Sequence, residues 1–147
     1  MLRRALGTAA AVTIAATAAV VAPAAADHPG HSEQECRGYP SYPGSPNPWI
    51  KIVAEDNQFD TDCLQGPANR KFRIYLDNRD SDPHNISIYS ADPSKDKKAE
   101  QFYKGKAVKG PGQEEYAIDE LPPGEYFFRD DKTPGMTGTL SIPKPKK

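Results

Sequence analysis

The sequence predicts an all-β domain, an antiparallel β-sandwich, and three observations carry that expectation. Six segments between Trp49 and Ile142 alternate apolar and polar side chains with period two. Fifteen prolines and eleven glycines in 147 residues set turn signals between them. Past residue 26 no stretch sustains the apolar period of a helix.

Taken in order, the chain opens on what reads as an export signal. Arg3 and Arg4 form a basic start, residues 5–21 are rich in Ala and Val, and Pro23 to Ala26 supply small residues before Asp27. Residues 1–26 are therefore expected to be cleaved, leaving no membrane span and a secreted protein, extracellular or in the cell envelope. Residues 27–48 contain RGYPSYPGSPNP and should form an extended Pro-rich arm. The folded domain is expected over residues 49–143, with residues 144–147 as a basic tail.

Within that domain WIKIVAE directs Ile50, Ile52 and Ala54 to one face, and KFRIYLD directs Phe72, Ile74 and Leu76. NISIYS sets Ile86 and Ile88 against Ser87 and Tyr89. EEYAID, GEYFFR and TGTLSI add Tyr116 and Ile118, Tyr126 and Phe128, and Leu140 and Ile142. Residues 91–112 are polar and Lys-rich, and read as a surface excursion anchored by Phe102 and Tyr103. The Leu121-Pro122-Pro123-Gly124 run is a tight turn, because proline fixes φ and glycine permits positive φ.

Cutting 26 residues from 147 leaves 121, enough for one domain with one core. Losing Arg3 and Arg4 moves the formal charge from −1 to −3, too little to argue for nucleic acid. A monomer is expected. Cys36 and Cys63 are an even pair in an exported chain and read most simply as one disulfide tying the arm to the sandwich. The rival reading makes one of them a metal thiolate, although neither lies in a Cys-x-x-Cys pair or close to a histidine.

Several motifs resemble the cupredoxins, the small β-sandwiches that hold blue copper. NRDSDPHNISIY (78–89) resembles the family's first ligand segment and keeps a histidine, His84. LPPGEYFFRDDKTPGMTGTL (121–140) resembles the segment that reads Cys, two residues, His, two residues, Met. Here Asp130 stands at the Cys position, Thr133 at the His position, and Met136 matches. Phe59 with Cys63-Leu64, Phe102-Tyr103-Lys104-Gly105 and Gly110-Pro111-Gly112 extend the likeness from Ile50 to Ile142. The resemblance implies a Greek-key antiparallel β-sandwich of the cupredoxin type.

It also defines the chemical question. Blue copper requires two imidazoles and a thiolate, with a weak axial thioether. Asp130 offers a hard carboxylate oxygen and Thr133 a poor neutral donor, so no tightly held cofactor is expected. A buried carboxylate at the thiolate's place must find a partner or bear the cost of desolvation. The expected partner is His84, making a charge-assisted hydrogen bond where the metal would sit. The function this implies is a non-redox binding or structural module, not an enzyme, whose partner is an extracellular protein or surface polymer. The alternative is a copper-binding protein with a non-blue site in copper handling or electron transfer. It would use His84, Asp130 and Met136, or else His28 and His31, since cleavage before Asp27 would free an α-amino group beside His28. Ser81, Asp82 and His84 are close in sequence, but a triad is defined by placement in space.

Overall fold

The computed structural model describes residues 36–38, 46 and 48–145. The expected signal, most of the arm, and His28 and His31 lie outside the described residues. Among the described residues there are eleven strands and no helix.

The six expected strands are all present, as β1 (Trp49–Glu55), β4 (Phe72–Asn78), β6 (Ser87–Tyr89), β9 (Gly112–Ile118), β10 (Gly124–Arg129) and β11 (Thr137–Ile142). Short strands fill the intervals: β2 (Gln58–Phe59), β3 (Cys63–Gln65), β5 (Pro83–His84), β7 (Gln101–Lys104) and β8 (Val108–Lys109). They form a four-stranded sheet β2-β1-β4-β9, a five-stranded sheet β3-β11-β10-β6-β7, and the small pair β5-β8.

The sandwich is mixed, not wholly antiparallel. β1 runs parallel to β4, with Ile50 opposite Ile74, and β3 runs parallel to β11, with Leu64 opposite Leu140. Period-two alternation marks a strand and its buried face but carries no information about its neighbour's direction, so the two parallel pairs are invisible in it.

The core lies between the two larger sheets. Ile50, Ile52, Leu64, Ile74, Leu76, Ile86, Ile88, Phe128 and Leu140 have no exposed surface, and Phe72 and Tyr116 almost none. Each such side chain contributes about 1.5–3 kcal/mol by leaving water. The alternation in β4 is strict, buried at every odd position of the strand and half-buried between. Ser87 and Tyr89 correct the simple expectation for β6: they alternate with the core residues, yet they are as buried as Ile86 and Ile88. Polar partners from neighbouring elements cover that second face.

Residues 91–112 also depart from a plain excursion, because β7 and β8 are paired strands within it. Tyr103 is its anchor, opposite Ile88 and packed on Tyr116 at 5.9 Å between ring centroids. Phe102 alternates away from the core and stays exposed, with its ring edge-to-face against Tyr126 at 5.3 Å between centroids.

Two features fix the ends of the first strands. β1 and β2 join through Asp56 and Asn57, both at positive φ, the two-residue hairpin turn that short polar side chains tolerate. Cys36 is disulfide-bonded to Cys63, and Arg37 pairs with β3 through Arg37 N–H to Cys63 O and Gln65 N–H to Arg37 O, both 2.9 Å. The arm's end is thus stitched to the five-stranded sheet.

Candidate functional site

The two segments that resemble ligand loops meet in space. His84 sits on β5, held opposite Val108 of β8, and Asp130 begins the turn between β10 and β11. Both side chains are wholly buried, and His84 Nδ1 lies 2.5 Å from Asp130 Oδ2. The other carboxylate oxygen, Oδ1, accepts the backbone N–H groups of Lys132 at 2.8 Å and Asn85 at 3.2 Å. The Asp130 carboxylate is therefore fully hydrogen-bonded, which offsets its desolvation.

A second carboxylate closes the far side of the ring. His84 Nε2 lies 3.0 Å from Asp80 Oδ2. Asp80 is itself fixed by the β1–β2 turn, since Asp56 N–H donates to its Oδ1 at 2.8 Å and Asn57 N–H to its Oδ2 at 3.0 Å. The Asn57 amide, with the Asp56 amide and the His84 ring, holds the Asp80 carboxyl below the usual carboxylate range despite partial burial. Each ring nitrogen of His84 has a carboxylate oxygen within hydrogen-bond reach. A chain of contacts thus runs from a hairpin turn through Asp80 and His84 to Asp130. Nothing singled out Asp80 beforehand, although its place four residues before His84 was a usable signal.

Buried polar backbone is accounted for around the pair. Asn78, with no exposed surface, donates to Asp82 O and Val108 O at 2.8 Å and accepts Asp80 N–H at 2.9 Å. Gly110 comes so close that a Cβ there would collide with Asp80 O and with Asn78. The loop after β10 closes through Asp130 N–H to Met136 O and Met136 N–H to Thr133 O, each 2.9 Å. Met136 is 3% exposed and belongs to the hydrophobic core, and Thr133 is half-buried in the turn.

A neighbouring network explains why the second face of β6 is buried. Asp131 accepts from Ser87 Oγ at 2.5 Å, Tyr89 OH at 2.8 Å and Arg129 Nε at 3.0 Å, with Asn85 Nδ2 at 3.3 Å. Burial pushes the Asp131 carboxyl up, but the bonds from Ser87, Tyr89, Arg129 and Asn85 outweigh it and hold the group below its ordinary range. The Arg129 guanidinium lies over the Tyr89 ring, 5.1 Å from its centroid.

The donor set around the pair is small. Among the described residues both cysteines are in the disulfide and no free thiol remains. His84 is the one histidine described, and both of its ring nitrogens face carboxylates on opposite edges. Ser81 and Asp82 are exposed and face neither nitrogen. Among the described residues no three His, Cys, Asp or Glu side chains converge as metal ligands, and no buried side-chain nitrogen or oxygen lacks a partner.

The family described as Cupredoxin-like domain matches residues 10–142. The chain belongs to the cupredoxin-like family. Among solved structures, auracyanin from the photosynthetic bacterium Roseiflexus castenholzii shares 18% identity over 65% of this chain and 97% of its own, with a TM-score of 0.55. Auracyanin A of Chloroflexus aurantiacus, described as a "blue" copper protein, gives 18% identity, 64% and 97% coverage, and a TM-score of 0.54. At this identity the likeness establishes the cupredoxin fold alone. No curated protein matches the sequence. Against this family, the contact of Asp130 with His84 falls between the two segments whose sequences resemble cupredoxin ligand loops. Among the described residues no helix is long and apolar enough to cross a membrane.

Proposed function

We propose that this protein is an exported, non-redox cupredoxin-like binding module whose Asp130–His84–Asp80 chain stands where copper would be held. One observation carries the reading: the 2.5 Å contact between two fully buried groups, His84 Nδ1 and Asp130 Oδ2. Type-1 copper needs a thiolate and two imidazoles on one side of the ion. The described residues offer neither a free thiol nor a second imidazole, and a metal could reach His84 only by displacing a carboxylate already bonded to it. The residues do not fit a blue copper ion, and electron transfer through such an ion forms no part of the proposed role. Catalysis forms no part of the proposed role either.

The site loops are cross-bonded by the protein's own side chains and backbone. Export fits the disulfide between Cys36 and Cys63, which persists in oxidising compartments. The test is to add Cu(II) to the mature protein and record its visible spectrum and melting temperature. The proposal expects no intense blue band and no stabilisation from the His84 site, whereas a strong band refutes it. Stabilisation without colour, abolished by His84→Gln, favours a non-blue site at His84, Asp130 and Met136. Stabilisation lost instead with His28→Ala and His31→Ala assigns the ion to the arm.

A further inference from the structure

We propose that the pocket beside this site binds a small multivalent oxyanion, gripped by Lys104, Lys106, Arg129 and Lys132. These four cations line a cavity of about 570 Å³ together with a single carboxylate, Asp131. The concentration of charge is local, since the whole chain carries a formal net charge of only −1. Asp131 offsets one of the four charges through its ion pair with Arg129 at 3.0 Å, which leaves the three lysines in excess. The side chains of Lys104, Lys106 and Lys132 have no carboxylate partner among the described residues. A concave surface with an excess of one sign of charge focuses its field and attracts counter-ions of the opposite sign.

The cations stand on fixed backbone. Asn85 Nδ2 donates to Gly105 O and Tyr116 OH to Lys106 O, both 2.8 Å, while Gly105 N–H donates to Ile86 O at 2.9 Å. A Cβ at Gly105 would collide with Ile86 O, so only glycine lets the rim lie this close to β6. Arg129 is oriented by its Asp131 bond and by the Tyr89 ring, with 21% of its side-chain surface open toward the pocket's solvent. Less ordering on binding means less entropy lost. The volume suits a small organic ligand better than a lone inorganic ion. Phosphate esters and polycarboxylates share the chemistry that such a lining recognises.

The inference rests on the binding-module reading, to which it supplies a ligand class, and the two fail separately. A blue copper band would overturn that reading and leave the charge of this pocket unaltered. The test is titration of the mature protein at low ionic strength with pyrophosphate and, separately, with citrate, followed by backbone amide NMR. Saturable shifts centred on residues 104–107 and 129–132 are expected with at least one probe. Lys106→Glu with Lys132→Glu, both exposed and outside the core, should weaken binding about tenfold or more without lowering the melting temperature. A response to pyrophosphate alone assigns phosphate ligands, and a response to citrate alone assigns polycarboxylates. No saturable shift with either probe overturns the proposal. So do shifts spread evenly over remote lysines such as Lys95 and Lys97, or binding unaltered by the double reversal.

Discussion

Replacing His84 with leucine removes its contacts with both Asp130 and Asp80, and a second change at Asp130 separates the two. The imidazole and the Asp130 carboxylate are both wholly buried, and the substitution removes the donor 2.5 Å from Oδ2 while leaving Asn85 N–H and Lys132 N–H on Oδ1. Breaking one side of a buried charged pair costs about 3–5 kcal/mol. The two retained backbone donors favour the lower end, about 3 kcal/mol, which corresponds to a fall in melting temperature of about 12 °C for a domain of this size. Urea denaturation and thermal melts of the mature protein measure it. The control is Asp130→Asn combined with His84→Leu. An asparagine oxygen still accepts from Asn85 and Lys132, and no uncompensated charge remains at position 130. The double variant should therefore recover about 2 kcal/mol relative to the sum of the single changes. Additive costs, or a loss below about 1 kcal/mol for His84→Leu, would refute the coupling.

Three further outcomes follow from the same contacts. Asp80 and Asp131 have folded-state pKa values below their unfolded values, so the stability they add is complete above about pH 4 and is lost as pH falls through the folded values. Asp131→Asn should flatten the acid limb of a stability-against-pH curve measured by urea melts, and an unchanged limb contradicts the assignment. Cys36→Ser with Cys63→Ser opens a loop of 27 residues' separation and should cost about 3–4 kcal/mol in a denaturation series. Asp130→Cys with Thr133→His restores a thiolate and a second imidazole in the β10–β11 turn and frees His84 Nδ1, leaving Asp80 behind the ring. This variant should take up Cu(II) with strong visible colour. A folded but colourless double variant would show that the turn is misassigned as the ligand loop.

The sequence disclosed most of the core and one contact of the site. Strands β4 and β9 present their buried residues by simple alternation, and β1 does so apart from Val53, which is buried on its other face. The meeting of Asp130 with His84 followed from the resemblance, which set Asp130 at a buried ligand position and brought its loop to that of His84, and from the need of a buried carboxylate for a partner. What stayed hidden is non-local. The parallel pairing of β1 with β4 depends on the route of the chain between the sheets. Short strands such as β5 and β8 contain too few residues to show a period. Ser87 and Tyr89 look like a solvent face until Asp131, Arg129 and Gln101 are brought over them from β10, its following turn and β7. Asp80 joined the site because a two-residue hairpin turn on another strand pair donates to it.

The most direct test of the central claim is the ring-proton NMR spectrum of His84 before and after one equivalent of Cu(II). A short bond to a buried carboxylate should give the Nδ1 proton a far-downfield, slowly exchanging resonance, and copper should leave it unaltered. Its selective loss on adding copper, with paramagnetic broadening at His84, Asp130 and Met136, would show that the ion displaces the carboxylate from the imidazole.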